Sequence, residues 1–212
     1  MQADFWHQKW QSGEIGFHEG QPNALLVKHF NALGLAQGCR VFLPLCGKTR
    51  DIDWLLTNGY RVAGAELSEL AVRALFDDLG IEPRVESIGS LKHFSGKNVD
   101  IFAGDIFSLS ADMLGLIDAV YDRAALVALP AATRERYCQH LVHLTRHAPQ
   151  LLIAFEYDQR QIDGPPFSIE PAEVARHYST QFNLQRLESV SVVGGLKGKV
   201  AATETVWHLL PL

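Results

Sequence analysis

Gly47 and Glu66 each follow a short apolar run of the sequence, and they are 19 residues apart. A single glycine after a strand lets the backbone approach a ligand, and a carboxylate at the end of the next strand accepts both hydroxyls of a ribose. The turn lacks the three glycines of a dinucleotide fingerprint, and Phe42 stands where a phosphate-binding loop needs its first glycine. The pattern favours S-adenosylmethionine, a nucleoside without phosphates. Each residue also has a structural alternative. Gly47 would form an ordinary turn, and Glu66 would be an N-cap acid beside Ser68 at the start of a helix.

Two further loops after predicted strands carry candidate ligand contacts. Asp105 and Ile106 offer an acid and an aliphatic side chain to the edge and face of an adenine, although an acid in a buried turn is an equal alternative. Arg123 is placed to contact the methionyl portion of the donor or an anionic acceptor. A structural ion pair between Asp122 and Arg123 is the alternative there.

The N-terminal residues 1–20 are predicted to form a lid over the cofactor cleft. Trp6 and Trp10 are four residues apart and therefore share one face of a short helix. With Phe17 and His18 they are expected to close over a ligand when it binds. The alternative is a hydrophobic clamp that only fixes a terminal helix.

If the acceptor is a thiol, it reacts as its thiolate, and methyl transfer to it needs no general base. A cation such as Arg123 or Lys197 would hold the anion near the donor. The stiff loop 164–167 contains Pro166 and ends in Phe167, which would lie over an apolar planar acceptor, although a bare proline-rich connection is an alternative.

Other reactive side chains are predicted to be structural. His140, His143 and His147 share one helix, but no acid lies at ligand spacing, so we expect a solvated surface and no metal site. Cys46 has no histidine partner motif and is interpreted as a packing residue. Three cysteines without CxxC spacing indicate a reducing compartment, and the expected location is cytoplasmic.

The elements that position these residues form one α/β domain over residues 1–212. Short apolar runs alternate with helical segments, which predicts a mostly parallel sheet covered on both faces, with an antiparallel C-terminal edge. The predicted strands are 40–45, 60–66, 99–103, 116–121, 150–156, 182–193 and 201–209, and the predicted helices are 49–58, 68–79, 171–178 and one that Pro130 begins. The net charge of −5 argues against nucleic acid, and no apolar stretch approaches membrane-spanning length.

Five segments together resemble the thiopurine S-methyltransferase family, in their order along the chain. They are residues 6–10 (WHQKW), 42–48 (FLPLCGK), 62–69 (VAGAELSE), 121–128 (YDRAALVA) and 164–167 (GPPF). The resemblance implies a seven-stranded, Rossmann-like class I methyltransferase fold with S-adenosylmethionine as donor. It also implies cofactor contacts at Trp10, Leu45, Glu66 and Arg123, and Phe17 beside the acceptor. Vertebrate members place an arginine-bearing loop near the acceptor, where this chain has only lysines in 193–199.

The predicted function is therefore methyl transfer from S-adenosylmethionine to thiopurines and other aromatic or heterocyclic thiols. The bacterial members of the family add selenium and tellurium compounds, and hence metalloid resistance, to the expected roles. A monomer suffices for this chemistry. The alternatives are a methyltransferase for an oxygen or nitrogen acceptor, a nicotinamide-dependent reductase, and a non-catalytic nucleoside-binding module.

Overall fold

The computed structural model describes residues 3–16 and 18–212. Its strands are β1 (Arg40–Pro44), β2 (Arg61–Glu66), β3 (Arg84–Ile88), β4 (Leu91–Gly96), β5 (Val99–Ala103), β6 (Ala119–Arg123), β7 (Gln150–Tyr157), β8 (Phe182–Ser191) and β9 (Ala202–Pro211). Its helices are α1 (Ala3–Ser12), α2 (Ala24–His29), α3 (Arg50–Thr57), α4 (Glu69–Leu79), α5 (Ala111–Leu114), α6 (Ala131–Leu144) and α7 (Pro171–Tyr178). None of these helices has the length and apolar character needed to cross a bilayer.

The strands form one sheet in the order β3-β4-β5-β2-β1-β6-β7-β9-β8. The central strands from β5 to β7 are parallel, and β9 and β8 form the predicted antiparallel edge. The described residues form nine strands and not the seven expected, because the hairpin of β3 and β4 extends the other edge of the sheet. The sequence did not indicate β3 because nearly all its side chains are exposed, so it has no apolar pattern.

Local signals begin α3 and α4 where the sequence predicts them, whereas α2 and α5 were not predicted. The Thr49 hydroxyl accepts a hydrogen bond from the Asp51 amide at 3.3 Å and begins α3, and Ser68 begins α4 in the same way. Gly80 ends α4 with a left-handed φ of +65°. The bounds of β6 differ in a way that matters for the site: the strand spans Ala119–Arg123 rather than 116–121, so Arg123 is its last residue and not a loop residue.

Both faces of the sheet carry a packed core. Phe42 belongs to a cluster with α6 and α7, whereas Val41 and Leu43 belong to a cluster with α2, α3 and α4. β1 lies between β2 and β6 in the sheet. The connection after β1 leads to β2 on one side, and the connection after β6 leads to β7 on the other, so the two diverge at this edge of the sheet. A crevice at that edge is the usual ligand site of open α/β sheets.

Candidate active site

A cavity of about 780 Å³ opens at the carboxyl ends of β1, β2 and β6. Its volume lies in the range of small-molecule sites. Among its lining residues are eight that the sequence predicts as site residues: Trp6, Trp10, Leu45, Gly47, Glu66, Arg123, Pro166 and Lys197. The strands bring these distant segments together because parallel strands end at one edge of the sheet.

The turn between β1 and α3 forms one wall of the cavity. Leu45 and Gly47 both have left-handed backbones, with φ of +48° and +54°. The Cys46 amide donates to the Ala65 carbonyl at 3.0 Å, which attaches the turn to β2. A β-carbon on Gly47 would lie 3.2 Å from Cζ2 of Trp10. Glycine therefore lets the Trp10 ring lie close against the turn, whereas a β-carbon would require the ring to shift by a few tenths of an ångström.

Glu66 ends β2 with a buried carboxylate, 6% exposed. Its Oε2 accepts the Gly47 amide and its Oε1 accepts the Ser68 amide, each at 2.8 Å. Burial raises the pKa of Glu66, while the hydrogen bonds from the amides of Ser68 and Gly47 oppose that shift. The Leu67 amide also hydrogen-bonds to the carboxylate, so of about four acceptor positions at least one remains for a ligand. Glu66 thus makes the contact with Ser68 that a structural acid would make, and it also lies in the cavity, where a ligand-binding residue is expected.

Arg123 lines the cavity with a side chain that is 11% exposed. It forms an ion pair with Glu19, through Nη2 and Oε1. The Asp122 carboxylate instead accepts the Tyr137 hydroxyl at 2.7 Å and the Leu126 amide at 3.1 Å. Successive side chains of a strand point to opposite faces, so the ion pair between Asp122 and Arg123 considered as an alternative does not form.

One buried acid of the cavity, Asp51, was not predicted from the sequence. Asp51, in the first turn of α3, is 1% exposed and lines the cavity. Its Oδ1 accepts the Asn23 amide at 2.7 Å, and its Oδ2 accepts the Tyr121 hydroxyl at 3.0 Å. Burial raises the pKa of Asp51, and the hydrogen bond from Asn23 and the charge of Arg123 oppose this. The available signal was its position just after the glycine turn, at the same sheet edge as Glu66.

The model of the thiopurine S-methyltransferase family matches residues 1–210. The chain belongs to this family. It is 56% identical to the thiopurine S-methyltransferase of Xanthobacter autotrophicus over 99% of both chains. It is 52% identical to that of Teredinibacter turnerae, over 99% of this chain and 97% of the relative. The family and enzyme class predicted from the sequence are confirmed.

Solved structures share the fold at low identity. The 1,6-didemethyltoxoflavin-N1-methyltransferase of Burkholderia thailandensis superposes with a TM-score of 0.66 at 16% identity, over 98% of this chain and 87% of that chain. A methyltransferase from Methanosarcina mazei gives 0.63 at 13% identity, over 91% of this chain and 99% of that chain. The predicted methyltransferase fold is confirmed, apart from the number of strands.

Asp105 and Ile106 do not line the main cavity. Asp105 accepts the Phe107 amide at 3.1 Å and lines a separate cleft of about 230 Å³, which shares only Leu67 with the main cavity. Ile106 is 2% exposed and belongs to the core. Asp105 caps a short turn but is exposed, so it is not the acid in a buried turn that was the alternative. Its contact with an adenine stays a prediction.

The structure places some of the predicted acceptor residues in the cavity wall and others outside it. Pro166 and Lys197 line the cavity, and Lys197 Nζ donates to the Pro165 carbonyl at 2.8 Å. Phe167 is not among the lining residues, because its ring packs against Gly164 and lies 5.8 Å from the guanidinium of Arg134. Phe17 lies outside the described residues.

The predicted histidine surface is only partly solvated. His140 Nε2 lies 2.8 Å from the Ile106 carbonyl oxygen, and burial lowers the pKa of this half-buried ring. Within residues 3–16 and 18–212, no three histidine, cysteine or acidic side chains are grouped as metal ligands.

Proposed function

We propose that the protein transfers the methyl group of S-adenosylmethionine to the sulfur of thiopurines and of other aromatic or heterocyclic thiols. The observation that carries the proposal is the pairing of the Glu66 carboxylate with the Gly47 turn in one cavity, in a chain that belongs to the thiopurine S-methyltransferase family. Membership of this family decides against the nicotinamide reductase alternative.

The residues of the cavity fit the donor. Three backbone amides bind the Glu66 carboxylate, and of its roughly four acceptor positions at least one remains for a ribose hydroxyl. The Gly47 turn offers a cradle that a β-carbon would fill, with the indole of Trp10 against it. Arg123 is the cation for the carboxylate of the methionyl part. When bound, S-adenosylmethionine supplies a methyl group on a sulfonium, and the protein's task is to align the acceptor and exclude water.

The acceptor is proposed to lie by the loop of residues 164–167. Three hydrogen bonds hold this loop: Tyr157 donates to the Pro166 carbonyl at 2.6 Å, Lys197 donates to the Pro165 carbonyl, and the Phe167 amide donates to the Val127 carbonyl. A loop held in this way presents Pro166 as a rigid apolar surface. The Lys197 ammonium at the same wall favours the thiolate over the thiol.

The proposal includes helix α1 as a lid and extends the acceptors to selenium and tellurium compounds. Helix α1 lines the cavity with four side chains, which supports its role as a lid: Phe5, Trp6, Lys9 and Trp10. We also propose a monomer that works in the cytoplasm. Free Cys39, Cys46 and Cys138 support a reducing compartment.

A methyl-transfer screen tests the proposal. Thiopurines, aromatic thiols, selenite, tellurite, phenols and amines are each supplied with S-adenosylmethionine, and S-adenosylhomocysteine is measured. Arg123→Ala is expected to lower turnover or donor affinity more than about tenfold, because it removes a charged hydrogen-bond donor. Arg160→Ala, at a side chain that is 90% exposed, is the control.

Two outcomes would overturn the acceptor assignment. Product from phenols or amines alone would make the protein an oxygen or nitrogen methyltransferase. Donor binding without product from any acceptor would make it a nucleoside-binding module. Unchanged kinetics in Arg123→Ala would remove Arg123 from the site.

A further inference from the structure

Asp51 and Arg123 bring opposite charges to one region of the cavity, because Asp51 is hydrogen-bonded to Tyr121, which lies two residues before Arg123 in β6. Asp51 comes from α3 and Arg123 from the end of β6, and both line the cavity from buried positions. The charge of Arg123 favours the ionised form of Asp51, so the two groups are close enough to interact. A ligand that complements this pair carries a cation and an anion close together.

The Asp51 carboxylate is held in a fixed orientation by uncharged donors. The Asn23 amide and the Tyr121 hydroxyl each bind a different oxygen, at 2.7 and 3.0 Å. The Thr49 side chain also hydrogen-bonds to the carboxylate. A carboxylate has about four acceptor positions, so at least one remains. None of these donors carries a positive charge to balance that of the carboxylate, and a buried charge is stabilised by an opposite charge beside it. The Asp51 carboxylate is therefore oriented and able to accept a hydrogen bond from a cation.

Arg123 also has capacity for a second anion. Its guanidinium carries five N–H donors, and the contact with Glu19 is made through Nη2. Glu19 is 46% exposed and lies on the solvent side of the nearly buried Arg123 side chain. A ligand carboxylate has further N–H groups available on the same guanidinium.

We propose that Asp51 binds the α-ammonium group of the methionyl part of the donor, while Arg123 binds its carboxylate. The inference rests on the proposed function and adds a positioning residue to it. An α-amino acid carries its ammonium and its carboxylate on one carbon, which matches an acid and a base that line one wall. The pair would thus select a complete amino-acid moiety and orient the chain that carries the methyl group.

A binding cycle by calorimetry tests the role of Asp51. The ligands are S-adenosylhomocysteine and its analogue with hydrogen in place of the amino group. In the wild-type protein, loss of the amino group is expected to weaken binding at least about tenfold, as for a charge-assisted hydrogen bond. In Asp51→Asn the same loss is expected to cost less than about twofold, since the amide has no charge to pair.

The controls separate this role from folding. Asp53→Asn alters an exposed acid of the same helix and is expected to behave like the wild type. In Asp51→Asn the amide oxygen still accepts the Asn23 amide, and the Tyr121 hydroxyl rotates to accept from the amide nitrogen. If Asp51→Asn does not fold, the two ligands are compared on the wild type alone, where a difference below about twofold refutes the proposal.

Two further results would overturn the inference in distinguishable ways. An equal loss of affinity in Asp51→Asn and in the wild type would place the ammonium elsewhere and leave the donor assignment intact. Failure of S-adenosylhomocysteine to bind the wild type would refute the donor assignment, and this inference with it.

Discussion

Cζ2 of Trp10 lies 3.2 Å from the position that a β-carbon on Gly47 would occupy. Helix α1 therefore packs directly on the turn between β1 and α3, in the wall of the cavity. The Gly47 backbone is also left-handed, with φ of +54°. Glycine at this position thus permits two features at once, the shape of the turn and the approach of the indole.

Replacing Gly47 by alanine is expected to weaken donor binding by displacing Trp10. Gly34→Ala is the matched control, since φ there is +63° but no atom lies within 4 Å of the added carbon. Both variants should lose roughly 1 kcal/mol of unfolding free energy from the left-handed backbone. Only Gly47→Ala should lose affinity for S-adenosylhomocysteine, measured by calorimetry. Equal affinities in the two variants would contradict a role for this contact in binding.

Removing the Glu66 carboxylate is expected to cost both donor affinity and stability. From the sequence alone, Glu66→Ala should weaken cofactor binding with little loss of the fold. The structure changes the second half of this expectation, because the alanine would leave the amides of Gly47 and Ser68 without their acceptor. The expected loss of unfolding free energy is about 2 kcal/mol. Denaturant unfolding and calorimetry with S-adenosylhomocysteine measure the two effects.

The control for Glu66 is Glu82→Ala, at an exposed acid. It is expected to leave both the stability and the donor affinity close to those of the wild type. Wild-type affinity in a folded Glu66→Ala protein would mean that the ribose is held by other residues.

Ala124→Gly is expected to stabilise the protein. Ala124 follows β6 with a φ of +64°, a conformation that glycine adopts without the steric cost of a β-carbon. The expected gain in unfolding free energy is about 1 kcal/mol. Ala125→Gly should do the opposite, because Ala125 is fully buried with a φ of −90°. A lower melting temperature for Ala124→Gly than for the wild type would count against this interpretation.

Stability is expected to fall as the pH rises from about 4 to 6, through the ionisation of Asp122. Burial raises the pKa of Asp122 from 3.8 to about 6, opposed by the hydrogen bonds from Tyr137 and Leu126. The unfolded chain therefore releases this proton first, and ionisation of the folded state costs on the order of 3 kcal/mol above pH 6. Below about pH 4 both states are protonated, and the contribution to stability is fully present.

Asp122→Asn should remove that part of the pH dependence, because an amide does not ionise. Unfolding free energies of the wild type and the variant, measured from pH 4 to 7, give the comparison. Asp112→Asn, at a side chain that is 98% exposed, should keep the wild-type slope. Parallel curves for the wild type and Asp122→Asn would show that Asp122 titrates alike in both states.

The sequence by itself determined the features that depend on neighbouring residues. The N-cap Ser68 and the bounds of the helices 49–58 and 68–79 follow from local signals, and α3 and α4 begin and end within one residue of these predictions. The alternation of apolar runs with helices likewise determined a parallel sheet. It brought Gly47 and Glu66 to one edge of that sheet, because strands joined by crossover helices end on the same side.

Only the tertiary structure decided the partners of the charged side chains. Arg123 faces Glu19 and not its neighbour Asp122, because the pleat of β6 points adjacent side chains to opposite faces. Asp51 is a cavity acid because Tyr121, 70 residues away in the chain, lies beside it in the fold. Such contacts depend on the directions of side chains from distant segments, which local patterns of residues do not contain.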